Sequence, residues 1–278
     1  MLPELFNPLG DPVRTAFLGA FYVVVSCLAV TLAFALLRAR RDLRAGRADA
    51  IRWHEEFDDL PEARRRCRHA VSGRLPGRVC PNGFACGGCE THRTLVAGLP
   101  ATRAAEGSEG GDVLGFDLPR ARAYHRGHTW VEVLKDGTAW VGLDDFGTRL
   151  VGAPDEVTLP APGSVLHANG PAWRMRRGRA QVRILSPLDG KVVETGGPDR
   201  GWYLRITPPG DGWDLRHLLT DGEVRPWMLR EIENLQTRLA GAATGASLAD
   251  GGTPVGDFPQ ACPEADWEGI WRELFLDP

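Results

Sequence analysis

A chain of 278 residues, 43% hydrophobic and 25% charged, carries enough apolar side chains for one core of fair size with appendages. Its formal net charge of −3 gives no sign of a nucleic-acid partner. Almost every basic residue is arginine. Lys135 and Lys191 are the two lysines of the chain, so chemistry on a lysine amine has two candidate positions.

In chain order, a leading segment (1–15) precedes residues 16–37, "AFLGAFYVVVSCLAVTLAFALL", which contain no charge. About 20 apolar residues at 1.5 Å each cross a bilayer, so a transmembrane helix is expected here. A signal peptide would carry its basic residues ahead of the apolar run. Here Arg38, Arg40, Arg41, Arg44 and Arg47 follow it, and Glu4, Asp11 and Arg14 precede it. That asymmetry predicts a single-pass protein of the inner membrane with its C-terminal domain in the cytoplasm. Cys27, inside the span, is a small apolar filler.

Residues 38–112 are expected to be a juxtamembrane segment. Its first part, rich in Arg, Glu and Ala, reads as helix continuing out of the membrane, with breaks near Gly46 and Pro61. Residues 71–89, with five glycines and two prolines, read as loop; "ETHRTLVAGL" reads as a short helix and 100–112 as a linker. Cys67, Cys80, Cys86 and Cys89 fall here with the spacing C-x12-C-x5-C-x2-C. Thiols stay reduced in the cytoplasm, which disfavours disulfides. Four thiolates with a Cys-x2-Cys step in a Gly-rich loop suit a metal, and a tetrahedral zinc site would supply folding energy that so loop-rich a segment lacks. An Fe–S cluster is the alternative, since plant-type proteins use a related spacing. His69 and His92 flank the cysteines and could replace one ligand. Cys262, far off in the tail, is expected to be unpaired.

Residues 113–240 turn to strands. Hydrophobics alternate in "HTWVEVLKDGTAWVGL", and Asp136-Gly137 marks a hairpin. "DDFGTRLVG" predicts a short helix capped by Asp144 or Asp145. "DEVTLPAPGSVLHANG" reads as strand, Pro-Gly turn, strand. "SPLDG" at 186–190 reads as a tight reversal between two strands, and "GWYLRITPP" as a closing strand. "DLRHLLTDGEVRPWMLREIENLQTRLAG" is expected to be helical throughout. Residues 241–278 end in "EADWEGIWRELFLDP", where Trp267, Ile270, Trp271, Leu274 and Phe275 share one side of a short helix. So short a helix must dock, on its own domain by preference, otherwise in a partner groove or on a membrane surface.

From Tyr124 to about residue 240 the chain resembles the H protein of the glycine cleavage system. The resemblance rests on Tyr124, on His128, Trp130 and Val131 ahead of the "KDGTAWVGL" hairpin, on the short helix "DDFGTRLVG", on Leu159-Pro160 before Pro162-Gly163, on the turn with Ser186, Pro187 and Gly190, and on Gly201-Trp202. It implies a mainly β fold with flanking helices, a barrel-sandwich hybrid of the lipoyl-carrier type behind the transmembrane helix. It also implies an attachment lysine seven residues before Ser186. That position is Arg179, and the family's acidic residue three earlier is Arg176. Arginine is protonated and cannot form the lipoyl amide. Lys135 and Lys191 lie elsewhere, so no lipoate is expected and the lipoyl-carrier role in glycine cleavage is disfavoured. Arg174, Arg176, Arg177 and Arg179 around Gly178 make either a solvated basic hairpin or a docking surface for an acidic partner.

No Gly-rich phosphate loop, nucleophile elbow or His-x3-His pair is present, and His125, His128, Asp144 and Asp145 read as structural groups, so no enzyme is expected. The layout predicts a non-catalytic, membrane-anchored docking or assembly module for an unidentified protein partner, with zinc at the four cysteines. The alternative is an Fe–S electron-transfer subunit of a membrane redox complex.

Overall fold

The computed structural model describes residues 12–44, 60, 62–99, 111–240, 249–250 and 253–277. The breaks expected at Gly46 and Pro61, most of the 100–112 linker and most of the leading segment lie outside them. The chain divides into two compact units, Met1–Trp53 and His54–Pro278.

In the first unit, helix α1 spans Pro12–Arg44. Its stretch Ala16–Arg38 is long and apolar enough to cross a membrane, and its side chains are not buried within the protein. The Thr31 hydroxyl bonds back to the helix, from Oγ1 to Leu28 O at 2.9 Å and to Cys27 O at 3.0 Å. That satisfies the group without water.

The second unit holds the cysteine segment, the strand domain and the tail together. It begins with α2 (Arg68–Val71), a 3-10 turn over Cys86–Gly88 and α3 (Glu90–Val96). The expected helix does not run up to Cys67. Residues 62–66 form turns, and Arg66 bridges antiparallel to Val79 instead. The strand domain opens with β1 (Asp112–Val113) and β2 (Phe116–Asp117) as a small ladder. Then come β3 (Ala123–Tyr124), β4 (Thr129–Val133), β5 (Ala139–Leu143), α4 (Asp145–Val151), β6 (Glu156–Thr158) and β7 (Val165–Leu166). β8 (Pro171–Arg177), β9 (Ala180–Leu185), β10 (Gly190–Gly197), β11 (Trp202–Thr207) and α5 (Val224–Ala240) follow. The tail adds β12 (Ala249–Asp250), β13 (Thr253–Pro254), α6 (Phe258–Ala261) and α7 (Trp267–Leu274).

The domain is mainly β with flanking helices, a barrel-sandwich hybrid of the H-protein type. A six-stranded sheet, β3-β4-β5-β11-β10-β7, closes over a three-stranded one, β6-β8-β9. Alternation sends Val131, Val141, Val182, Ile184, Leu204 and Ile206 into one shared core, where Trp173 of β8 stacks on Tyr203 of β11 at 5.0 Å. The Asp136-Gly137 hairpin forms as expected, with Gly137 at φ 82°. Gly142 faces Trp130 across β4–β5, and a Cβ there would come within 2.5 Å of the indole, so only glycine lets that ring lie across the strand.

Two elements differ from expectation. "SPLDG" does not join paired strands: β9 belongs to the small sheet and β10 to the large one, so this stretch carries the chain between sheets. Residues 214–223 are not α-helical. Leu219 exchanges backbone hydrogen bonds with Tyr124, and Asp221 sits at φ 48°, which ends any helix ahead of α5.

The tail docks on its own domain. Phe258, Trp267, Ile270, Trp271, Leu274 and Phe275 join the core cluster. Trp271 Nε1 donates to Leu150 O at 2.8 Å, and Asp277 Oδ2 accepts from Arg183 N at 2.9 Å. Each buried side chain of this size stabilises by about 1.5–3 kcal/mol.

Candidate functional site

The cysteine segment is the first candidate. The antiparallel bridge Arg66–Val79 sets Cys67 opposite Arg78 and Cys80 opposite Arg65, with Cys67 N donating to Arg78 O at 2.8 Å and Cys80 N to Arg65 O at 2.6 Å. Both thiols are buried in a small cluster with Ala70 and Phe84, and Leu276 packs against it. Cys86 and Cys89 stand at the two ends of the 3-10 turn, half-buried, with Cys89 N donating to Cys86 O at 3.0 Å. All four are free thiols. Among the described residues no three His, Cys, Asp or Glu side chains are grouped so as to hold a metal ion. Of the four cysteines, Cys67 and Cys80 share one buried cluster, and Cys86 and Cys89 lie outside it.

The flanking histidines are engaged with each other. His69 Nε2 and His92 Nδ1 share a hydrogen bond of 3.0 Å, and His69 Nδ1 faces Arg68 Nη1 at 3.3 Å. Burial, then the charge of Arg68, pushes both down to about 4, so both are neutral at pH 7. With both nitrogens of His69 taken, it has no lone pair free for a ligand's role.

Arginines fasten this segment to the strand domain. Arg68 pairs with Glu223 at 2.7 Å and donates to His217 O at 3.0 Å. Arg230 Nη1 donates to Ala70 O at 3.0 Å, and Asn169 Nδ2 to Phe84 O at 3.2 Å. Arg126, only 7% exposed, lies over the Phe84 ring at 3.8 Å and donates to Arg66 O. Burial lowers its pKa from the ordinary guanidinium value, with Cys86, Cys80 and Cys67 acting in the opposite sense. Burial likewise pushes the Cys86 thiol up to about 11, against the pull of Arg126.

The tip of the β8–β9 hairpin is the second candidate. Gly178 takes φ 59° there, and Arg179 beside it is exposed. Its neighbours are matched by the protein's own acids. Arg176 pairs with Glu156 at 3.1 Å and Arg177 with Asp257 of the tail at 2.7 Å, while Gly178 N donates to Asp155 Oδ2 at 2.6 Å. A hairpin whose arginines meet their own carboxylates offers less free charge to an acidic partner than the sequence suggests. Lys135 lies in the β4–β5 turn and Lys191 in β10, both exposed and both away from this tip.

One histidine read from the sequence as a structural group lies against two carboxylates. His128, fully buried at φ 60°, bonds Asp144 Oδ2 through Nδ1 at 3.0 Å and turns Nε2 toward Glu231 Oε2 at 3.8 Å. Its ring stacks on Trp227 at 5.1 Å. Burial alone would lower its pKa. The charge and hydrogen bond of Asp144, joined by Glu231, outweigh that and raise it to about 9. Asp144 also caps α4, accepting from Gly147 N at 2.6 Å, as expected of one of the two aspartates.

Comparison with known proteins identifies the strand domain. The glycine cleavage H-protein family matches residues 122–221. A glycine cleavage system H protein of Marinobacter nauticus is 30% identical over 115 residues, which are 40% of this chain and 88% of that protein. One from Xylella fastidiosa is 32% identical over 99 residues, 35% of this chain and 76% of that protein. The solved glycine cleavage system H protein of Mycobacterium marinum covers 38% of this chain and 94% of its own at 22% identity and a TM-score of 0.33. The apolar helix and the cysteine segment lie ahead of the stretch that the family matches.

Proposed function

This chain belongs to the glycine cleavage H-protein family, and we propose that it serves as a membrane-anchored, non-catalytic docking module and not as a lipoyl carrier. Arg179 carries this reading. It occupies the exposed hairpin tip where the resemblance places the lipoyl lysine, and a guanidinium cannot form that amide. Intact-mass spectrometry of the full chain from lipoate-fed cells tests it. The unmodified mass is expected; a lipoyl mass on Lys135 or Lys191 would overturn the reading. Co-purification in mild detergent checks the docking role, and a protein that repeatedly comes down alone counts against it.

In this reading α1 anchors the chain in the inner membrane, with the arginines after Ala16–Arg38 holding the second unit on the cytoplasmic side. A signal sequence would be cleaved and leave a soluble protein, so the mature N-terminus separates the two cases. The cysteine loop is proposed to hold zinc through Cys67, Cys80, Cys86 and Cys89. The one buried cluster that Cys67 and Cys80 share supports this, and Cys86 and Cys89 would have to close on that cluster. One equivalent of zinc in colourless protein is the expected result. A brown, anaerobically purified protein with a visible absorption band would point instead to the Fe–S electron-transfer role.

A further inference from the structure

We propose that Cys86 and Cys89 form a reversible dithiol–disulfide pair that exchanges with a small disulfide. This goes beyond the metal reading, which needs all four cysteines of the segment and not these two alone.

The pair sits where the backbone permits a bond. Cys86 opens the 3-10 turn Cys86–Gly88 and Cys89 caps its far end, with Cys89 N donating to Cys86 O at 3.0 Å. In such a turn residues three apart eclipse at a rise of about 2 Å each, so their Cα atoms stand about 6 Å apart. A disulfide needs roughly 4.4–6.8 Å between Cα atoms. Both thiols are free in the structure. Cys89 precedes α3 without a capping bond from its side chain, so its sulfur is free to turn toward Cys86. Gly87 and Gly88 between them leave the backbone the latitude to settle into the bonded geometry.

The pair is also accessible. Cys86 and Cys89 are half-buried, Gly87 and Gly88 are exposed, and a Cβ on either glycine would meet nothing within 4 Å. No neighbouring group covers the turn on that side, so an incoming disulfide can reach it. Cys67 and Cys80 differ in this respect, being buried with Ala70 and Phe84. Disulfides that form in a reducing cytoplasm are transient, serving exchange or redox sensing, and a bond across so short and open a turn suits that use.

The exchange balances in two steps. Cys89 Sγ, as the thiolate, attacks one sulfur of the incoming disulfide, and the other half leaves and takes up the proton. Cys86 Sγ then displaces the half held on Cys89, the Cys86–Cys89 bond closes, and the second half leaves as a thiol. The chain is oxidised by two electrons and the incoming disulfide is reduced to two thiols. The thiolate is also the metal ligand, so the metal-free chain is the form that exchanges.

The test uses the full chain in detergent, stripped of metal by a chelator and equilibrated with graded ratios of reduced to oxidised glutathione. Remaining thiols are alkylated and the peptides read by mass spectrometry. A Cys86–Cys89 disulfide should appear as the ratio falls and vanish as it rises. Cys86→Ser should instead trap glutathione on Cys89. Combining Cys67→Ala with Cys80→Ala removes two of the four proposed zinc ligands and should leave the Cys86–Cys89 disulfide in place; where that variant does not fold, Cys86→Ser still decides. No Cys86–Cys89 disulfide at any ratio, a bond from either sulfur to Cys67 or Cys80 in its stead, or no adduct on Cys89 in Cys86→Ser overturns the proposal. The zinc content of the untreated protein is measured separately, so the metal reading and the exchange pair fail independently.

Discussion

The strand domain and the cysteine segment are held by different forces. The domain buries a continuous apolar core in which two sheets, α5 and the tail all share side chains. The segment has a cluster of Cys67, Ala70, Cys80 and Phe84 and little else that is apolar. Arginine bonds join it to the domain, many ending on backbone carbonyls. An apolar core degrades by increments as contacts are removed. A small segment fastened by a few charged bonds can open as a unit while the rest stays folded. A segment of that kind gains from a stabilising ligand, such as the proposed metal, while the core gains nothing.

The largest effect expected from breaking the comparison comes on the core side. Deleting residues 263–278 removes Trp267, Ile270, Trp271, Leu274 and Phe275 from the core at once. At about 1.5–3 kcal/mol each this is comparable to a typical domain's whole margin, so the second unit should melt far lower or fail to fold. Trp271→Ala alone should cost about 3–5 kcal/mol by calorimetry, through the lost packing and the unpaired Leu150 carbonyl. An unchanged melting temperature in the deletion would mean that the tail is not docked in solution.

On the segment side, Arg68→Met strands Glu223 and the carbonyl of His217. Breaking so buried a pair costs about 3 kcal/mol, softened here because Arg74 also reaches Glu223 at 3.1 Å. Amide exchange should show residues 62–99 opening while β4, β5 and β11 stay protected. Uniform loss of protection would show that segment and domain unfold as one.

A third test uses pH and acts on the core alone. His128 has a folded pKa near 9, above its unfolded value of about 6.5. The charged histidine therefore contributes stability in full below about pH 6.5, and that contribution is lost as pH rises through 9. Denaturant melts between those limits should fall by up to roughly 3 kcal/mol. His128→Phe should flatten this slope whatever it does to the absolute value. A wild-type protein with no slope in that window would mean that His128 is neutral.

What the sequence made legible divides along the same line. The Asp136-Gly137 hairpin, the Asp144 cap and the apolar side of α7 are local patterns, and local chemistry suffices to read them. Arg68 meets Glu223 across 155 residues, and Glu231 reaches His128 across the fold; no periodicity announces such pairs. The same holds for residues 214–223, whose apolar spacing suggests helix but whose backbone is claimed by Tyr124. Arg126 gave no signal in the sequence, because its place over Phe84 and at the Arg66 carbonyl is set by residues 42 and 60 positions away. The exposed turn at Arg179 was legible because Gly178 beside it is a local signal.

Arg179 gives the smallest expected effect on stability and the sharpest on chemistry. Arg179 is exposed at a turn that Gly178 shapes, so Arg179→Lys should change stability by less than about 0.5 kcal/mol. If the hairpin keeps a carrier's shape, the new amine stands where the resemblance places the acyl arm. The family also has an acidic residue three positions earlier, where this chain has Arg176 bonded to Glu156. A ligase that reads that acid will pass over the single variant. Arg176→Glu combined with Arg179→Lys restores both, at a cost of about 0.5–1 kcal/mol from the carboxylate then facing Glu156 across the ladder. With a lipoate ligase and lipoate, the single variant should stay unmodified and the double variant should gain the lipoyl mass. Modification of the single variant would show that the amine alone is what the domain lacks. Failure of both would show that the tip, clamped to the tail through Arg177 and Asp257, no longer presents the shape that a ligase recognises.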